Sequence, residues 1–199
     1  MRYEHLGAAP SVHPSASVAP TAVLSGDVTI GAGCRILHGA ILTSEGGPLT
    51  LGEHVIVMEN ALVRATAANP VHIGDHTLIG PTASIAGATI AEEVFIATGA
   101  RVFNGARIDR RSEVRIGATV HLRTHLAEGS VVPIGWVAVG DPAIVVSPDK
   151  HDEIWARQQE LDFPGYVFGL DRDTPDLMVQ LTERYGRSLA RHDDDRLLD

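Results

Sequence analysis

The sequence predicts a mainly β fold, a solenoid of stacked parallel coils followed by C-terminal α-helices. Three observations carry this. Aliphatic residues recur every six positions over most of the chain, a small or β-branched residue follows most of them at a fixed offset, and the period turns helical after Pro148.

The aliphatic series begins Val12, Val18, Leu24, Ile30, Ile36, Leu42. It resumes at Leu51, Val57, Val63 and again at Ile73, Ile79, Ile85. A five-residue step then leads to Ile90, Ile96, Val102, Ile108, Val114 and Val120. Four positions after most of these stands a residue such as Ala22, Cys34, Ala61, Ala83 or Ala106. A six-residue period is neither helical nor a simple alternation. It fits a short extended segment closed by a tight turn, with the aliphatic and the small residue pointing inward. Three segments make a triangular coil, and stacked coils bury a continuous aliphatic column while pairing their backbones. About six or seven coils are expected between Val12 and Ala143.

Two insertions break the phase, Thr43 to Thr50 and Ala65 to His72, and loops on a rigid scaffold commonly carry function. The stretch from His121 to Ser130 reads as irregular, and Val132 to Ala143 closes the stack. We place a solenoid domain at residues 1–147 and a helical extension at 148–199. Ser147 and Pro148 open a helix whose apolar stripe is Ile154, Trp155 and Leu161, ending at Asp162-Phe163-Pro164-Gly165. A second helix is expected from Pro175 to about His192, with Leu177, Met178, Leu181, Tyr185 and Leu189 on one face. Trp136 and Trp155 are expected between the solenoid end and the helix, and Asp193 to Asp199 is expected to fray.

Composition narrows the function. Aromatic residues are only 5% and there are 20 glycines, which suits a narrow interior of aliphatics and alanines. The formal charge of −9 argues against nucleic acid as a partner. That charge is uneven: residues 1–147 hold 9 basic and 12 acidic residues, and residues 148–199 hold 7 and 13. No apolar run approaches the ~18 residues of a membrane span. The N-terminus lacks the apolar stretch of a signal peptide, so the chain is expected to be cytoplasmic. The single cysteine, Cys34, excludes an internal disulfide and takes a small inward position, where it reads as inert core.

The segment Leu24 to Cys34 (LSGDVTIGAGC) resembles the opening coils of the gamma-class carbonic anhydrases, and Val137 to Ala143 (VAVGDPA) resembles their closing turn. The loop ending Gly46-Gly47-Pro48-Leu49 and the five-residue step at Ile85 fall where that family has them. The resemblance covers roughly residues 10–160. It implies a left-handed parallel β-helix of hexapeptide repeats, an exception to the right-handed crossover rule. It also implies a homotrimer with its site between subunits.

The family's three zinc-ligating histidines do not carry over. The resemblance puts Arg64 in place of the first, within Met58-Glu59-Asn60-Ala61-Leu62-Val63-Arg64. In Gly80-Pro81-Thr82-Ala83-Ser84-Ile85-Ala86-Gly87, Pro81 and Ala86 replace the other two. Proline and alanine offer no donor atom, and a permanently charged guanidinium repels a cation, so no metal and no cofactor is expected there. The family's Arg-x-Asp reads Thr43-Ser44-Glu45, its water-orienting glutamine is Met58, and only the acidic Glu59 keeps its character.

The candidate pocket is therefore Arg64, Glu59, Asn60, Met58, Thr43, Glu45, Pro81, Ala86 and His72. Two readings of Arg64 stand, a structural ion pair with Glu59 or an anchor for a small carboxylate or acyl ligand. His72 with His76, and His121 with His125, are spaced four apart but cross turns, so scattered surface imidazoles are the simpler reading. The run Arg101, Arg107, Arg110, Arg111, Arg115 reads as solvated turns or ion pairs, with an anion-binding ridge as the alternative. Three functions compete: a zinc-free carbonic anhydrase relative with a reused pocket, a coenzyme A-dependent acyltransferase, and a structural or partner-binding trimer.

Overall fold

A computed structural model of the chain describes residues 1–198 and has the predicted architecture, a left-handed parallel β-helix followed by C-terminal helices; Asp199 lies outside the described residues. Three sheets form the faces of a triangular prism. The first holds eight parallel strands, among them Val23–Ser25, Ile41–Glu45, Leu62–Thr66 and Ser84–Ala86, with an antiparallel strand at either end. The second and third faces hold seven parallel strands each.

Register explains the core. Val63 pairs with Leu42 on one side and Ile85 on the other, Ile73 with Leu51 and Ile90, and Ile79 with Val57 and Ile96. The aliphatics of successive coils therefore stack into three buried columns. Each large side chain contributes about 1.5–3 kcal/mol by leaving water. The small inward positions accept hydroxyls where a carbonyl is in reach. Buried Thr77 donates to the Ala91 carbonyl at 3.1 Å, and buried Ser112 to that of Ala127 at 3.2 Å. Cys34 is fully buried, and burial pushes its thiol above the ordinary range, as an inert core residue requires. At the corner leading from the third face to the first, Gly39, Asn60, Thr82 and Gly99 all take left-handed backbone, with φ of 73°, 58°, 56° and 65°. The repeat thus fixes a conformation there that glycine and asparagine adopt readily and threonine resists.

Several expectations are corrected. The stretch from His121 to Ser130 is regular: His125–Leu126 is a strand of the second face, and Leu126 fills the inward position six residues after Val120. A strand precedes Val12, because Arg2–Glu4 pairs in parallel with Val23–Ser25 although it lacks the aliphatic repeat. The insertions, expected as loops, are in part continued strand. They lengthen strands Ile41–Glu45 and Leu62–Thr66, which pair from Ile41↔Leu62 to Glu45↔Thr66. Gly47 is required where they stack, since a Cβ there would lie 2.1 Å from the Thr66 carbonyl oxygen.

The chain beyond the coils runs back along the solenoid. Helix α1 (His151–Gln158) buries only Ile154. Trp136 packs against the core, but Trp155 is exposed with the Arg172 guanidinium 5.6 Å from its ring, so it is not the expected wedge. Where a turn was expected, Phe163–Phe168 forms helix α2, its Pro164 seated in the first turn. Helix α3 (Leu177–Leu189) passes into a 3₁₀ turn, Ala190–Asp194. The tail expected to fray instead makes a strand, Arg196–Leu198, antiparallel to Arg2–Glu4. The free edge of that first strand supplies the reason, since unpaired backbone groups there find a partner. No helix among the described residues is long and apolar enough to cross a membrane.

Candidate functional site

A groove of about 460 Å³ runs between the first face and helices α2 and α3. Arg64 sits at its floor. Strand alternation turns Val63 and Ala65 into the core and Arg64 outward, and register sets Arg64 between Thr43 and Ala86. The methyl group of Ala86 leaves room for the long arginine. The Arg64 guanidinium lies 3.4 Å from Glu45 Oε1 and 5.8 Å from the Tyr185 ring. Phe103, Phe163, Tyr166 and Phe168 complete an aromatic lining, and the Tyr166 hydroxyl donates to Asn69 Oδ1 at 2.8 Å.

Of the predicted pocket residues, Glu45, Arg64 and Ala86 line this groove. Thr43 is the strand neighbour of Arg64. Met58, Glu59, Asn60 and Pro81 lie together at the corner between the third and first faces. His72 points outward on the second face, and the groove does not include it. The acidic partner of Arg64 is Glu45, not the expected Glu59. Five residues of strand carry Glu45 to the far end of the same ladder, whereas Glu59 stays exposed on the turn.

Beside the groove stands a cluster that sequence spacing does not announce. His5 and His192 stack with ring centroids 4.2 Å apart and an interplanar angle of 17°. Asp195 closes one side, 2.5 Å from His5 Nδ1 and 2.8 Å from His192 Nδ1. Glu45 closes the other, with both oxygens 3.1 Å from His192 Nε2 and Oε2 at 3.9 Å from His5 Nε2. The hydrogen bond to Asp195 raises the His192 imidazole above its ordinary value; burial opposes this and the Glu45 charge adds to it. Burial alone would raise Asp195, but the hydrogen bonds from His192 and His5 outweigh it and hold the carboxyl below the usual range. His5 and His192 come from opposite ends of the chain. The one local signal was the His192/Asp195 spacing of three, which a tail expected to fray conceals.

The remaining polar features are accounted for locally. His125 lies between Asp109 at 2.9 Å and Asp141 at 3.3 Å, while His121 turns against Phe103. His76 stacks on His54, and His38 pairs with Thr21. The arginine run is mostly exposed ion pairs: Arg107 with Asp141, Arg110 with Glu128, Arg111 with Glu93 and Arg115 with Glu113. Such pairs contribute little to stability.

No family model matches the chain. Gamma carbonic anhydrase 1, mitochondrial, of Arabidopsis thaliana is 34% identical over 129 residues, which cover 62% of this chain and 47% of the plant protein. The chain thus spans a little under half the length of that relative. Carnitine operon protein CaiE of Escherichia coli (strain K12) is 30% identical over 172 residues, covering 83% of this chain and 82% of CaiE. The carbonic anhydrase of Geobacillus kaustophilus (strain HTA426) is 25% identical over 154 residues, 77% and 81% of the two chains. Among solved structures, a hexapeptide transferase family protein from Anaplasma phagocytophilum aligns with a TM-score of 0.54 at 22% identity, over 92% and 95% of the chains, a likeness of fold.

Proposed function

We infer the function from one premise, that this chain belongs to the hexapeptide-repeat family of the gamma carbonic anhydrases and CaiE, and we propose that it is a zinc-site-deficient member whose groove takes a small carboxylate or acyl ligand. The observation that carries the reading is Arg64 itself. It stands at the floor of an aromatic groove, with its side chain one third exposed and one carboxylate beside it. Arg64 would anchor the ligand carboxylate, and Phe103, Phe168 and Tyr185 would cover its apolar part. A trimethylammonium carboxylate of the kind CaiE's name evokes would suit the same lining, because aromatic faces attract such cations. The ancestral metal position, at residues 64, 81 and 86, offers no ligand atom, so zinc held there and carbonic anhydrase activity are both absent in this reading. Against a coenzyme A-dependent acyltransferase, no histidine lines the groove among the described residues.

The assembly we propose is a homotrimer. The outward row Ile56, Leu78, Phe95 on the third face is apolar and in register, as are Ile41 and Leu62 on the first. The second face presents Thr50, His72, Thr89, Arg107 and His125 instead. The two apolar rows flank the corner bearing Glu59 and Pro81, so a closed ring of three like contacts buries them.

Light scattering and calorimetric titration of wild type and Arg64→Ala with acetyl-coenzyme A, butyrate and carnitine test both parts. A trimer that binds at least one probe, and loses it in Arg64→Ala without loss of mass or thermal midpoint, supports the reading. A trimer that melts earlier in Arg64→Ala while keeping its ligand makes the arginine structural and removes the proposed anchor.

A further inference from the structure

We propose that His5, His192, Glu45 and Asp195 form a cation site for zinc or a similar divalent transition metal, distinct from the family's zinc position; it shares Glu45 with the ligand reading at Arg64 but does not rest on that reading.

The donor arrangement carries the proposal. His5, His192 and Asp195 place one ligand atom each within 4.8 Å of one another, and Glu45 closes the opposite side. Asp195 accepts from both Nδ1 atoms, which fixes both rings with Nε2 facing Glu45. A carboxylate that orients imidazoles through their far nitrogen is the usual support of a metal-bound histidine. The second observation is independent of that clustering. His5 has 1% of its side chain exposed, and its buried Nε2 has no hydrogen-bond partner. That nitrogen faces Glu45 Oε2 at 3.9 Å, too long for a hydrogen bond. With metal-to-ligand distances of about 2.0–2.2 Å for imidazole nitrogen and carboxylate oxygen, an ion between them spans such a gap with an obtuse angle.

Charge points the same way. Two carboxylates converge here against one arginine among the described residues, Arg64 at 3.4 Å from Glu45 Oε1, so one negative charge is left over before any histidine proton is counted. The rings must tilt from their stack to converge on the ion, which costs His5 Nε2 no existing hydrogen bond. The site is closed by protein on both sides and would be structural, joining the first strand, the first insertion and the 3₁₀ turn after α3.

The test is a zinc titration of the full chain against a chromophoric chelator after stripping with EDTA. The expected result is a single zinc per chain, with affinity falling more than about 100-fold in His5→Ala and His192→Ala and about 10–100-fold in Asp195→Asn. His72→Ala should bind as wild type does. Zinc K-edge absorption of the loaded wild-type chain should read two imidazoles and carboxylate oxygen, a result that stands even where a variant folds poorly. Failure to retain zinc, retention undiminished in both histidine variants, or a coordination shell without two imidazoles overturns the proposal. The first of these means that protons alone hold the cluster together. Because no arm uses Arg64→Ala, failure here leaves the ligand reading untouched, and the converse holds too.

Discussion

The coils and the belt that returns along them are built on opposite principles. Within the coils, nearly every repeat from Leu24 to Val132 contributes a buried aliphatic, and each inner coil is braced by the coils before and after it. Within the belt, α2 and α3 bury no residue completely, and Met178 and Val179 are 62% and 56% exposed. The belt is held instead by a few specific contacts: the Tyr166–Asn69 hydrogen bond, the His5–Asp195–His192–Glu45 cluster and three residues of antiparallel strand. Density of apolar burial sets local opening energies, so the belt should open well before the coils do. The same contrast places function. The rigid half presents Arg64 and Ala86 with fixed register, and the looser half covers them.

The largest effect that can break this contrast is in the columns. Ile79→Ala should cost about 2–5 kcal/mol, read as a fall in denaturation midpoint, because the coils above and below cannot collapse into the void. A belt change should behave differently. A chain ending at Asp195 loses the Arg196–Leu198 strand, and its global stability should move by no more than about 1–2 kcal/mol, the worth of a few exposed hydrogen bonds. Amide exchange at Arg2 to Glu4 should nevertheless rise sharply, and a uniform rise over all coils would mean that belt and coils unfold as one unit. The smallest effect concerns pH. Burial holds His121 below its ordinary value of 6.5. The unfolded chain therefore takes up this proton first as pH falls. The contribution is complete above pH 6.5 and is lost as pH drops from there through the depressed folded value. His121→Phe should flatten the stability profile on that acid side, and an unchanged slope would assign it to other groups.

The coils were legible in the sequence because each one is specified locally: Val57 and Ile79 need only their own turn chemistry and a neighbour about one coil away. Even the segment read as irregular, His121 to Ser130, obeys the rule once Leu126 is counted. The belt was not legible for the complementary reason. Its helices were visible as apolar stripes, but its path depends on pairings such as Tyr3 with Leu197, at opposite ends of the sequence. The site divides the same way. Arg64 and Ala86 were recognised from the motif they interrupt, while the partner of Arg64 became visible only once the first insertion proved to be a continued strand that carries Glu45 forward. His5 carried no motif, and His192 only its spacing of three from Asp195.

The two antiparallel strands at the ends of the first sheet have a consequence for solubility. A parallel solenoid is by construction an unfinished fibre, since each terminal coil offers the next copy the same ladder that its own neighbour uses. Here Arg196–Leu198 caps the opening edge of the first face, and Ile144–Val146 folds back over its closing edge. A second molecule approaching end to end meets strands of reversed polarity on that face, out of step with the parallel edges left open on the other two. Head-to-tail polymerisation would have to break a cap before it could gain a rung.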